Sequence, residues 1–192
     1  MPQAQARREL RFHPTEVDGA YVVEIEPIED ERGFFARAWC GREFAENGLH
    51  GPFVQENVGF SGRAGTLRGL HFQRAPHEEA KLVRCTAGAV WDVAVDLRRG
   101  SPTYRGWTGV ELSAADRNML YVPEGCAHGY LTLTDDAETR YLTTEYYAPD
   151  AAWGVRYDDP AFGIRWPADV ELVSDADLGW PLLETTDPER GA

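Results

Sequence analysis

Six side chains suited to acid–base or charge-stabilising chemistry stand out. His71 and Arg68 sit in LRGLHFQ (67–73), Lys81 opens KLVRC, His128 follows a Pro-Gly turn in PEGCAHGY, Tyr141 lies within TRYLTTEYY, and Asp177 closes SDAD. Strict alternation puts Leu67, Gly69, His71 and Gln73 on one face and Arg68, Leu70 and Phe72 on the other. A glycine inside a strand marks a bulge or a close backbone approach, and a bulge at Gly69 turns Arg68 and His71 toward one pocket. The competing expectation is a hydrogen-bonded core histidine and a surface arginine. Lys81 shares its face with Val83 and Cys85, which is costly unless the ammonium is paired or borders a wet cavity; a strand-end lysine reaching solvent is the alternative. Taken singly, Asp177 also fits a solvated helix cap, and Tyr141 ordinary strand packing.

The elements that must hold these groups are short strands. AYVVEIEPI alternates, with Tyr21, Val23 and Ile25 on one face and Glu24 and Glu26 on the other. GREFAENG, closed by Asn47-Gly48, is the best helix candidate of the first half. TLRGLHFQ, KLVRC, AVWDVAVDLR, TGVEL, NMLYVP, GYLTLT and TRYLTTEYY follow, separated by breaks such as RRGSP, SAAD, EGCAHG and DDAE. In AVWDVAVDLR, Trp91, Val93, Val95 and Leu97 face one way and Asp92, Asp96 and Arg98 the other. This spacing predicts an all-β sandwich or barrel, with a polar, frayed arm over 1–16 and an irregular C-terminal segment packed across one end.

Composition narrows the class. The 192 residues fit a single domain, and 43% apolar residues suffice for a core. A net charge of −13 argues against nucleic acid as partner, although a nucleotide-sized anion can still meet a local arginine cluster. Cys40, Cys85 and Cys126 are widely spaced and odd in number, so a disulfide framework or zinc knuckle is not expected; reduced thiols in a cytoplasmic protein are. MPQAQARREL lacks the apolar stretch of a signal peptide, and no apolar run approaches the roughly 20 residues that span a bilayer.

Taken in order, DERGFF (30–35), FVQEN (53–57), LRGLHFQ (67–73), KLVRC (81–85), VWDVAVDLRRGSPTYRGW (90–107), VPEGCAHGY (122–130), RYLTTEYYAP (140–149), DDPAFGIRWP (158–167) and SDAD (174–177) resemble the dTDP-4-dehydrorhamnose 3,5-epimerase family over about residues 18–183. The resemblance implies a cupin-type jelly roll with short peripheral helices. It implies a homodimer, no metal or organic cofactor, and a dTDP-4-keto-6-deoxyhexose as substrate. By the same resemblance His71 is the base, Asp177 its orienting carboxylate, Tyr141 the acid on the opposite sugar face and Lys81 the group near the C4 oxygen. Arg32, Gln55, Asn57, Arg68 and His128 correspond to substrate contacts, and Phe35 to an aromatic near the nucleotide. In the family, Arg32 and its neighbours can reach across from the partner subunit.

That set matches the chemistry. In a 4-keto sugar both C3 and C5 adjoin the carbonyl, so inversion needs a base on one face and a proton donor on the other. A neutral imidazole, with an ordinary pKa of about 6.5, suits the first task. The chain departs from the family pattern where Ala36-Arg37 follows RGFF, where VGFSGRAG follows FVQEN, and at Leu142 after the tyrosine. These departures leave open inversion at C3, C5 or both. Two other readings differ in kind. A metal-dependent cupin would want a second histidine where Gln73 stands, and a non-catalytic sugar-nucleotide module would have lost one of the three acid–base groups.

Overall fold

The computed structural model describes residues 9–49 and 51–183. In chain order the elements are β1 (Arg11–Pro14), β2 (Tyr21–Glu24), β3 (Ile28–Asp30), β4 (Gly33–Phe35), α1 (Gly41–Glu46), β5 (Gln55–Ser61), β6 (Leu67–Gln73), β7 (Lys81–Ala87), β8 (Ala89–Asp96), β9 (Trp107–Ser113), β10 (Met119–Val122), β11 (Cys126–Thr132), β12 (Ala137–Thr143), β13 (Ala152–Gly154) and α2 (Asp175–Leu178). One sheet runs β1-β2-β10-β7-β12-β5 and faces a second, β13-β6-β11-β8-β9; β3 and β4 form a separate hairpin. The result is a cupin-type jelly roll with short peripheral helices.

Alternation explains why the sheets stack. Inward-facing Val83, Cys85, Val90, Ala94, Leu112, Leu120 and Val122 fill the space between them. The outward faces are covered as well. Leu70, Val93, Val95 and Ala127 on the second sheet bury themselves under Val155, Phe162 and Leu183 of the C-terminal segment. On the first sheet, Val23, Leu82, Met119 and Tyr121 pack beneath Phe44 of α1. A six-residue helix does not hold itself together in water. Here Phe44 anchors it, with its ring 5.2 Å from Phe12 and 6.0 Å from both Phe53 and Tyr121. Burying such a side chain contributes about 1.5–3 kcal/mol.

Two expectations are corrected. The arm expected over 1–16 is not frayed in its described part: β1 pairs with β2 from Arg11↔Glu24 to Pro14↔Tyr21. Leu10 is buried in the same cluster as Phe44, and its amide donates to Glu43 Oε2 at 2.8 Å. Residues 1–8 lie outside the described part. The second correction concerns EGCAHG, read as a break. The turn ends at Gly125, and Cys126–Gly129 already belong to β11, paired on both sides by β6 and β8. The C-terminal segment, expected across one end, packs over the outer face of the second sheet.

Candidate active site

Register carries His71 and Arg68 into the same space. On β6, His71 stands opposite His128 of β11, but Arg68 stands opposite Tyr130, so three steps on one strand match two on the other. The bulge falls at Gly69, whose φ is +121° and whose missing Cβ would lie 2.6 Å from Gly129 Cα. Leu70 and Phe72 then face the outer core, while Arg68 and His71 line the cavity between the sheets.

That cavity has a volume of about 770 Å³. The second sheet supplies Arg68, His71 and His128; the first supplies Gln55, Asn57, Lys81 and Tyr141. Asp177, Trp153 and Trp180 close one side. A larger cavity of about 920 Å³ lies beyond Phe72 and Gln73, lined by Arg74, His77, Arg98 and Tyr104. It holds none of His71, Lys81, Tyr141 or Asp177, so the smaller cavity is the candidate active site.

Asp177 reaches the site because the C-terminal segment is tied to the start of β6. Leu67 N donates to Leu172 O at 2.8 Å, and Glu171 N to Gly65 O at 2.8 Å. Ser174 then caps α2, its hydroxyl accepting from Asp177 N at 3.1 Å. Asp177 is a buried ligand of the site, not a solvated cap: its Oδ1 is 2.6 Å from His71 Nε2, and its Oδ2 accepts from Gly69 N at 3.4 Å. A carboxylate only accepts, so Nε2 carries the proton and Nδ1 keeps the free lone pair. Burial pushes the His71 pKa below its ordinary value; Asp177 opposes that shift, while Lys81 and His128 add to it. A neutral imidazole results. Tyr141 is pushed the other way, first by burial and then by the Glu79 charge, and so remains a phenol.

The supporting contacts are as specific. Lys81 Nζ lies 3.1 Å from Glu79 Oε1 and donates to His71 O at 3.2 Å. Arg68 Nε donates to Ser61 Oγ at 3.1 Å, and its Nη2 to Phe60 O at 2.9 Å. Gln55 Nε2 donates to Asn57 Oδ1 at 3.2 Å. His128 Nε2 lies 2.8 Å from Oδ1 of fully buried Asp92.

Arg32 and Phe35 are not brought to this cavity. Both lie on the β3–β4 hairpin, where Arg32 pairs with Asp30 and Phe35 is 76% exposed. Of the departures, Arg37 pairs with Glu43, and Leu142 packs in the outer cluster beneath α1, away from the cavity. Gly59, by contrast, lines it: a Cβ there would meet the Tyr130 hydroxyl at 2.8 Å.

Sequence reasoning missed Glu79, Asp92 and Trp180. The sequence sets Asp92 on the polar face of its strand, opposite Trp91, Val93 and Val95; in the fold that face turns inward and Asp92 is fully buried. Glu79 carried the weaker signal of an acid two residues from an unpaired lysine. Trp180, whose ring lies 6.4 Å from that of His71, had none.

A jelly roll that holds a carboxylate-backed imidazole on one sheet and a phenol and an ammonium on the other defines an isomerase of the proton-transfer kind. The comparisons specify it further. The profile of the dTDP-4-dehydrorhamnose 3,5-epimerase family matches residues 14–185. The curated dTDP-4-dehydrorhamnose 3,5-epimerase of Methanothermobacter thermautotrophicus is 47% identical over 180 residues, covering 92% of this chain and 96% of that protein. The crystal structure of the dTDP-6-deoxy-D-glucose-3,5-epimerase of Legionella pneumophila, in complex with dTDP-4-keto-L-rhamnose, superposes with a TM-score of 0.86 at 38% identity, covering 94% and 96% of the two chains. ChmJ, a 3'-monoepimerase from Streptomyces bikiniensis in complex with dTDP-quinovose, gives 0.83 at 39% identity over 93% and 89%. The chain belongs to the dTDP-4-dehydrorhamnose 3,5-epimerase family, whose members are isomerases acting on carbohydrates.

Proposed function

We propose that the protein epimerises a dTDP-linked 4-keto-6-deoxyhexose, converting dTDP-4-dehydro-6-deoxy-D-glucose to the L-rhamno configuration in deoxysugar biosynthesis. The observation that carries this is the placement of His71 and Tyr141 on opposite sheets around one cavity. His71 Nδ1 takes the proton from the carbon beside the ketone. The electron pair moves onto the C4 oxygen, where the Lys81 ammonium meets the enolate charge. Tyr141 returns a proton to the same carbon from the other face, and the bound imidazolium is stabilised by Asp177. Arg68 and His128 hold the rest of the sugar nucleotide, with Gln55 and Asn57 on the facing sheet.

The catalytic unit is a homodimer in the cytoplasm, in which Arg32 and Phe35 of the exposed hairpin serve the partner's cavity. This accounts for a large aromatic left in solvent beside a charged residue. Sedimentation of the purified protein decides the dimer, and cell fractionation the compartment. Similarity to a 3'-monoepimerase favours a second reading, inversion at C3 alone. Incubation with dTDP-4-keto-6-deoxyglucose in D₂O separates them. Deuterium at C3 and C5 supports the double epimerase, label at one carbon the single one, and tight binding without label a non-catalytic module.

A further inference from the structure

Lys81 is almost wholly enclosed, with its side chain 7% exposed. An enclosed ammonium must be compensated, and its three N–H groups must be accounted for. One faces Glu79 Oε1 at 3.1 Å and a second donates to His71 O at 3.2 Å. The third remains for whatever fills the cavity that Lys81 lines. Glu79 is itself held. Its Oε2 accepts from Gln73 Nε2 at 3.3 Å. Gln73, 3% exposed, shares its two N–H groups among Glu79 Oε2, His77 O and Tyr146 O and accepts from Ala148 N at 2.6 Å. Gln73 and His71 are both on β6, so one strand sets the place of the base and of the ammonium together.

We propose that Glu79 is a positioning residue of the epimerase reaction: it fixes the Lys81 ammonium so that one N–H points at the ketone oxygen of the bound sugar. The inference rests on the reading that Lys81 meets that oxygen. A lysine has four rotatable side-chain bonds, and ordering them costs conformational entropy. Glu79 and the His71 carbonyl meet that cost before substrate arrives, which is the condition under which a single donor to an oxyanion is worth about 10²–10³-fold. Burial favours the protonated form of Tyr141, the Glu79 charge and Tyr130 add to that, and Arg68 opposes it.

The test measures kcat and KM for dTDP-4-keto-6-deoxyglucose in Glu79→Ala, Glu79→Gln, Lys81→Ala and the Glu79→Ala/Lys81→Ala double variant, with thermal melting as the control for folding. Glu79→Ala is expected to lower kcat about 10–100-fold, part of the value of an oxyanion donor, with KM changed less than about threefold. Glu79→Gln, which keeps an oxygen for Nζ, is expected to recover most of the loss. In the Lys81→Ala background, Glu79→Ala is expected to change kcat less than about twofold, because the two act as one unit. Wild-type kcat in Glu79→Ala, no recovery in Glu79→Gln, or a fully additive double variant overturns the proposal. So does wild-type kcat in Lys81→Ala, whereas the epimerase reading itself stands or falls on deuterium exchange by the unaltered protein. If Glu79→Ala does not fold, Glu79→Asp replaces it. A shortened carboxylate should lower kcat at constant KM, and unchanged kcat overturns the proposal.

Discussion

Asp177 follows His71 by 106 residues, yet its Oδ1 sits 2.6 Å from His71 Nε2. This pairing fixes the tautomer. In Asp177→Asn the amide nitrogen offers a donor to Nε2 and drives the proton onto Nδ1, the nitrogen that must take one. Turnover is expected to fall about 10²–10⁴-fold with melting little changed, by analogy with the loss of the orienting carboxylate in a catalytic triad. Steady-state kinetics check it; unchanged turnover would remove Asp177 from the proposed site.

His71→Ala removes the base. Deuterium exchange from solvent into the sugar is expected to drop by at least about 10²-fold, the lower end of what one positioned base supplies. Exchange at the wild-type rate would overturn the role assigned to this residue.

Tyr141→Phe keeps the ring and loses the donor. Proton removal by His71 continues and return to the opposite face does not, so deuterium is expected to enter the substrate with its configuration retained, while inverted product forms about 10²-fold more slowly. NMR of the sugar protons in D₂O reads both quantities in one experiment. Equal losses of exchange and inversion would contradict a separate acid.

The pH profile follows from two directions. The base acts when deprotonated, and burial holds the His71 pKa below its ordinary value of about 6.5, so kcat/KM is expected to hold at neutral pH and fall only below that value. The donor acts when protonated, and burial with the Glu79 charge holds Tyr141 above its ordinary value of about 10, so the alkaline limb lies above that. A profile of kcat/KM against pH checks both limbs, and an acid limb above pH 7 would contradict a neutral His71.

Gly69→Ala tests the bulge. Alanine at a φ of +121° is strained, and its Cβ would strike Gly129. A loss of at least about 2 kcal/mol is expected, which calorimetry would read as a melting point lower by several degrees. Activity should fall further than stability explains, because Arg68 and His71 depend on the bulge to share the cavity.

What could be read from the chain followed from local rules. A period of two marks strands wherever one face is buried, so β6 to β10, the second half of β11 and β12 were legible, and Gly69 in mid-strand signalled a bulge because few other reasons place glycine there. The same rules failed where burial came from distant partners. The segment RFHP has too little alternation to announce β1; its strand state depends on Phe12 meeting Phe44 and on pairing with β2. Cys126 to Gly129 resemble a turn in composition, yet two neighbouring strands hold them extended.

The family-typical motifs named His71, Tyr141, Lys81 and Asp177, but nothing in their spacing says that they meet. Strand pairing and the C-terminal tie to β6 bring them together, and they also recruit Glu79, Asp92 and Trp180, whose neighbours in sequence hint at little. Chain order encodes residue type and periodicity, which are local. The partner of a buried charge is chosen by which strands lie side by side, and that is a property of the folded whole.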